Sequence, residues 1–109
     1  MSIGLGILMI LHGLVHLMGF VKAFNLTELK EIKQEISRPM GLLWLTTVLL
    51  FGGSAAALLL GETWWWPITI ASIVLSQIVI ALHWKEAKWG TIANIIILAG
   101  LVLILSGIV

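Results

Sequence analysis

Residues 3–21 read IGLGILMILHGLVHLMGFV, and this stretch decides the fold class. An α-helix over its 19 residues is about 28 Å long, close to the ~30 Å hydrocarbon core of a membrane. His12 and His16 interrupt the apolar run, and an ionisable side chain at membrane depth marks a candidate functional site. The two imidazoles lie one helical turn apart and share a face with Gly19 and Ala23. These small residues would let a neighbouring helix approach closely.

The composition of the whole chain supports a membrane location. Of its 109 residues, 61% are hydrophobic and 10% are charged, whereas soluble domains are about 45–50% apolar and ~25% charged. A chain of this length cannot hide so much apolar surface in its own core. The absence of cysteine excludes disulfides, thiolate metal sites and thiol redox catalysis. A formal net charge of +1, without any dense basic run, predicts no nucleic-acid partner.

Three more apolar segments predict three further spans, at residues 40–60, 67–84 and 91–109. Residues 25–37 are polar, with leucines and isoleucines at helical spacing, which predicts a short amphipathic helix in the membrane interface. Because two connections are short, helices adjacent in sequence should pack antiparallel. The predicted fold class is all-α, a single domain forming an integral membrane antiparallel four-helix bundle with that interfacial helix between the first two spans.

Residues with special backbone or interfacial preferences predict where these spans end. Pro39 suits the first turn of the second span, and Gly61 suits the position that ends it. Trp64, Trp65 and Trp66 lie in the next turn, where tryptophan is favoured between lipid and headgroups. Pro67 is predicted to open the third span.

The distribution of basic residues predicts the orientation of the chain. All six flank or occupy the first and third connections: Lys22, Lys30, Lys33, Arg38, Lys85 and Lys88. Since such residues remain on the cytoplasmic side, connections 22–38 and 85–90 are expected in the cytoplasm and both termini outside, in the inner (plasma) membrane. The N-terminus lacks the features of a cleaved signal peptide, so the first segment is expected to remain.

Four polar side chains are predicted to lie in the cytoplasmic half of the bundle. From the rise per residue, His16 and Gln77 lie roughly 10 Å below the cytoplasmic surface and His12 roughly 16 Å. Asn94 is somewhat shallower. Serine and threonine can bond to their own helix carbonyls, so they are discounted here. One interpretation is a polar cavity open toward the cytoplasm; the other is a set of interhelical hydrogen bonds without a ligand.

The histidine spacing leaves several chemistries open. Two histidines four residues apart on a helix can share a metal ion, as in HExxH metalloproteases, but here no glutamate lies between them. His83, the third histidine, is predicted about 10 Å from His16, too far to complete a metal site. Haem held by two histidines needs ligands on opposite sides of the ring. Binding of a small molecule by neutral imidazoles, or proton transfer through them, needs no further ligand at a fixed position.

Three stretches carry a resemblance to a known family: HGLVHLMGF (12–20), RPMGLLW (38–44) and WKEAKWGTIAN (84–94). They resemble a family of small prokaryotic four-helix membrane proteins without an assigned activity, so the resemblance implies a fold and no site. In size and span number the chain is similar to the DoxX-like group, some of which are tied to quinone-linked oxidation. The small multidrug resistance family is another comparison, but its membrane-embedded glutamate is missing here.

Three functional hypotheses follow. The first is binding of a lipid or quinone, or a redox-accessory role, through His12, His16, Gln77 and Asn94. The second is a proton-coupled small-molecule transporter acting as a dimer, with the two N-terminal histidines as relay. The third is a structural or interaction subunit without a site. The expected partners are the lipid bilayer and further copies of the chain in a homo-oligomer. The sequence identifies no cofactor and does not decide whether the protein is an enzyme.

Overall fold

The computed structural model describes residues 2–24 and 37–107, except for the side chain of residue 86. It contains four long helices and one single-turn helix: α1 (Ser2–Ala23), α2 (Arg38–Leu59), α3 (Trp65–Leu82), α4 (Trp84–Ala87) and α5 (Gly90–Leu105). Within these described ranges there is no β-strand, so the all-α prediction is confirmed. The predicted interfacial helix at 25–37 lies outside the described residues apart from Ser37.

Helices α1 and α2 pack closely because glycines remove side chains from their interface. A methyl group added to Gly19 would overlap the indole of Trp44, and one added to Gly6 would come within 3.0 Å of Leu59. The early residue Gly6 of α1 thus contacts the end of α2, and the late residue Gly19 contacts Trp44 near the start of α2. The small face predicted around Gly19 is a helix contact in the structure.

The ends of α2 are set by local hydrogen bonds. The hydroxyl of Ser37 accepts from the backbone N–H of Met40, and Pro39 lies in the first turn, where a missing N–H costs nothing. At the other end, Gly61 has φ of 77° and its N–H donates to the carbonyl of Leu58. This left-handed residue ends the helix, as the sequence predicted.

Helix α3 begins earlier than predicted, at Trp65 instead of Pro67. Proline is tolerated there because the first N–H groups of a helix have no intrahelical acceptor. Trp65 is buried in the core, whereas Trp64 and Trp66 are exposed. The interfacial interpretation therefore fails for Trp65, which faces the neighbouring helices.

Helix α5 is shorter than the predicted span of residues 91–109. It ends at Leu105, and Gly107 follows with φ of 77°, which stops the helix. Its 16 residues are about 24 Å long. Helices α1, α2 and α3 are long and apolar enough to cross a membrane; α5 is apolar but falls below that length.

The buried apolar residues form two clusters. The larger contains Met9, Phe51 and Trp65, and the smaller contains Ala23, Trp44 and Val79. Many large apolar side chains on the outward helix faces are exposed, as a lipid environment requires. The buried histidines contact both clusters, since the ring of His12 packs on Phe51 and that of His16 on Trp44.

Candidate functional site

His16 is held by two hydrogen bonds, one within its own helix and one to α3. Its Nδ1 lies 2.8 Å from the carbonyl oxygen of His12, and its Nε2 lies 2.7 Å from the hydroxyl of Ser76. A carbonyl oxygen only accepts, so Nδ1 carries the proton and, in the neutral ring, Nε2 accepts from the Ser76 hydroxyl. Only 2% of His16 is exposed. The side chain thus connects α1 to α3 in the interior.

Asn94 closes this arrangement into a ring of hydrogen bonds. Its Nδ2 donates to the hydroxyl oxygen of Ser76 at 3.0 Å, and its Oδ1 accepts from Nε2 of His12 at 2.9 Å. Asn94 is 3% exposed and lies one turn into α5. The ring His12–Asn94–Ser76–His16 therefore joins α1, α3 and α5.

Gln77 extends the ring toward the surface. Its Oε1 accepts from Asn94 at 3.1 Å, and its Nε2 donates to the hydroxyl of Thr91 at 3.0 Å. We call His12, His16, Ser76, Gln77 and Asn94 the polar cluster. The structure thus brings together all four predicted site residues: His12, His16, Gln77 and Asn94.

Ser76 is the member of the polar cluster that sequence reasoning missed. Serine and threonine can bond to the carbonyl four residues earlier, which gives the sequence no reason to select them, and Thr47, Thr69 and Ser72 do form this bond. Ser76 instead bonds across to α1 and α5. Its position next to Gln77, which is predicted at the depth of His16, is the one sequence feature that indicates a place in the polar cluster.

The direction of each hydrogen bond limits what the polar cluster can do with protons. A relay needs groups that take up a proton on one side and release it on the other. The chain of bonds from His16 ends at the backbone carbonyl of His12, and the chain from His12 runs into the amide of Asn94. A backbone carbonyl has no proton to release, and a side-chain amide does not readily release one. The geometry is that of a fixed polar contact between helices.

Aromatic rings enclose the histidines. The rings of His12 and His16 meet edge to face with centroids 4.6 Å apart, and Phe51 lies 5.2 Å from His12. On the other side, Trp44 lies 5.3 Å from His16 and, again at 5.3 Å, from His83. The rings of His16, Trp44 and His83 form what we call the aromatic stack.

Trp44 carries a polar group that the fold does not satisfy. The side chain is 5% exposed, and its Nε1–H has no hydrogen-bond acceptor in the part of the chain that the structure describes. Buried indole N–H groups usually have an acceptor. The sequence drew attention to position 44 only through the family resemblance.

His83 lies at the end of α3 and is 8% exposed. Its Nδ1 donates to the carbonyl of Val79 at 2.9 Å, which leaves Nε2 as the acceptor nitrogen of the neutral ring. The sequence predicts His83 about 10 Å from His16; in the structure both rings contact Trp44. Among the described residues, no three His, Asp or Glu side chains are grouped so that they could hold a metal ion.

Comparison with protein-family models, with curated proteins and with solved structures finds no significant match to this chain. The resemblance to small four-helix membrane proteins therefore stays a prediction.

Proposed function

We propose that the chain is an integral plasma-membrane protein whose four long helices form an antiparallel bundle. The order of contacts along α1 and α2, from Gly6 against Leu59 to Gly19 against Trp44, supports opposite directions for these helices. The basic residues of connections 22–38 and 85–90 support a cytoplasmic location for that end. The segment 25–37 would then lie in the cytoplasmic interface, with both termini outside.

The function proposed for this bundle is binding of a small amphipathic molecule, a lipid or a quinone, beside the aromatic stack. The observation that carries the proposal is the buried indole N–H of Trp44 without an acceptor. Such a donor costs about 1–3 kcal/mol when it is left unpaired. The atom is closed off from solvent, so bulk water does not replace the missing acceptor. An oxygen atom of a bound headgroup would supply it.

The polar cluster has a positioning role in this proposal. His16 forms one wall of the aromatic stack, and its two hydrogen bonds fix the ring plane against Trp44. His12, Asn94 and Gln77 hold that arrangement from α1, α5 and α3. A redox-accessory role would follow if the bound molecule were a quinone, whose ring stacks on aromatic side chains and whose carbonyls accept hydrogen bonds.

The test is binding of probes to the full chain in phosphatidylcholine nanodiscs. A short-chain benzoquinone and a short-chain monoacylglycerol are added while the indole ¹⁵N–¹H resonances are recorded, with Trp44 assigned by its loss in Trp44→Phe. We expect a downfield shift of that resonance and weaker binding by the variant. Trp89→Phe is the matched control because Trp89 is 71% exposed. No shift with either probe would contradict the proposal.

A structural or interaction subunit is the second candidate, and the closed polar cluster favours it. Because these side chains bond to one another, the cluster needs no ligand to be stable. This candidate predicts that Ser76→Ala lowers thermal stability, that neither probe binds and that the Trp44 indole resonance does not shift. Proton-coupled transport as a dimer, with His12 and His16 as relay, is less favoured because their hydrogen bonds lead to an amide and a backbone carbonyl.

A further inference from the structure

Trp44 and His83 present two complementary polar atoms on neighbouring rings. The ring centroids are 5.3 Å apart with an interplanar angle of 57°. Nε1 of Trp44 is a donor without an acceptor, and Nε2 of His83 is left as an acceptor because Nδ1 donates to Val79. Within the described residues, neither atom has a hydrogen-bond partner.

We propose that this pair recognises a hydroxyl group, so that the bound molecule is a hydroxyl-bearing amphiphile. A hydroxyl has one donor hydrogen and two acceptor lone pairs, so one oxygen can accept from Trp44 and donate to His83. A carbonyl or ether oxygen accepts from Trp44 but offers His83 nothing. A site with polar atoms for a hydroxyl rejects the analogue without it, because those atoms are then left unpaired.

The surroundings of the pair favour a molecule from the membrane. Both side chains are buried, at 5% and 8% exposure, and Trp44 belongs to an apolar cluster with Ala23 and Val79. The hydroxyl chemistry is shared by two classes of membrane molecule: reduced quinols, which are phenols, and acylglycerols, which are aliphatic alcohols. This inference rests on the proposed function, since it names the headgroup chemistry of the same site.

The experiment compares each hydroxyl probe with its own methyl ether. A short-chain benzoquinol, kept anaerobic, and its dimethyl ether form one pair; a short-chain monoacylglycerol and its dimethyl ether form the other. Affinities are measured by calorimetry on the full chain in nanodiscs. We expect the hydroxyl form of at least one pair to bind about tenfold more tightly, the value of one buried hydrogen bond. The pair that shows the difference identifies the source.

The variants assign that preference to the two atoms. His83→Phe keeps an aromatic ring without Nε2 and is expected to abolish the preference, whereas Trp89→Phe keeps it. Equal binding of the hydroxyl and ether forms by the unaltered chain would overturn the inference and leave ligand binding standing. Binding of neither form, with no shift of the Trp44 indole resonance, would overturn both. The comparison of probes on the unaltered chain does not depend on how well a variant folds.

Discussion

The Nε2 atom of His16 lies 2.7 Å from the hydroxyl oxygen of Ser76, and that hydroxyl also accepts from Asn94. One serine on α3 thus joins α1 and α5. Its hydroxyl serves as donor to one helix and acceptor from the other. Because His16 and Asn94 are both buried, loss of the hydroxyl would leave a polar atom on each of them short of a partner.

Ser76→Ala is expected to destabilise the protein by about 1–3 kcal/mol, the cost of leaving buried polar groups unpaired. The measurement is thermal unfolding in detergent micelles or nanodiscs. Thr69→Val is the matched control, since Thr69 is equally buried on the same helix and its hydroxyl donates to its own helix carbonyl at Trp65. We expect the control to cost less than half as much. Equal losses would show that the contact to His16 contributes nothing.

His12 and Asn94 should be energetically coupled through the hydrogen bond of 2.9 Å between them. A double-mutant cycle of His12→Ala and Asn94→Ala is expected to give a coupling of about 0.6 kcal/mol, the average for polar pairs in membranes. The comparison cycle pairs Asn94→Ala with His83→Ala, residues without a mutual hydrogen bond in the described chain. Its coupling should be near zero. A coupling of the same size in both cycles would argue against a direct contact.

Gly19→Ala is expected to destabilise the α1–α2 interface, because the added methyl group overlaps the rigid indole of Trp44. Overpacking of this kind costs typically about 1–3 kcal/mol. Gly52→Ala is the control: the space around Gly52 is open, so the same change meets no atom within 4 Å. In thermal unfolding in micelles, the Gly19→Ala variant should unfold at a clearly lower temperature than the Gly52→Ala variant. The reverse order would mean that α1 and α2 do not pack through this face.

Gly61→Ala tests the end of α2. Gly61 has φ of 77°, which an L side chain resists at a cost of roughly 1–2 kcal/mol. No atom lies within 4 Å of a Cβ built there, so any loss comes from the backbone alone. Gly53→Ala, inside the helix with similar open space, is expected to be neutral or stabilising. Circular dichroism during thermal unfolding would separate the two.

Much of the helical organisation could be predicted from the sequence, because apolar length and turn residues act locally. Pro39 and Gly61 were placed correctly, since each restricts its own backbone. The start of α3 at Trp65 and the end of α5 at Leu105 were placed wrongly. In the first case Pro67 predicts the first residue of the helix, whereas the helix accepts this proline as its third residue. In the second the apolar run continues past the glycine that ends the helix.

The sequence by itself determined the all-helical class, the apolar helices and the choice of His12, His16, Gln77 and Asn94 as the polar side chains of one half of the bundle. These follow from composition and from the constant rise and rotation of a helix. Only the tertiary structure decided that the Ser76 hydroxyl bonds to α1 and α5 while the Thr69 hydroxyl bonds to its own helix carbonyl, and that Trp44 lies between two histidines without an acceptor. The physical reason is that periodicity states which residues share a face, whereas the approach and rotation of the neighbouring helix determine which of their polar atoms meet.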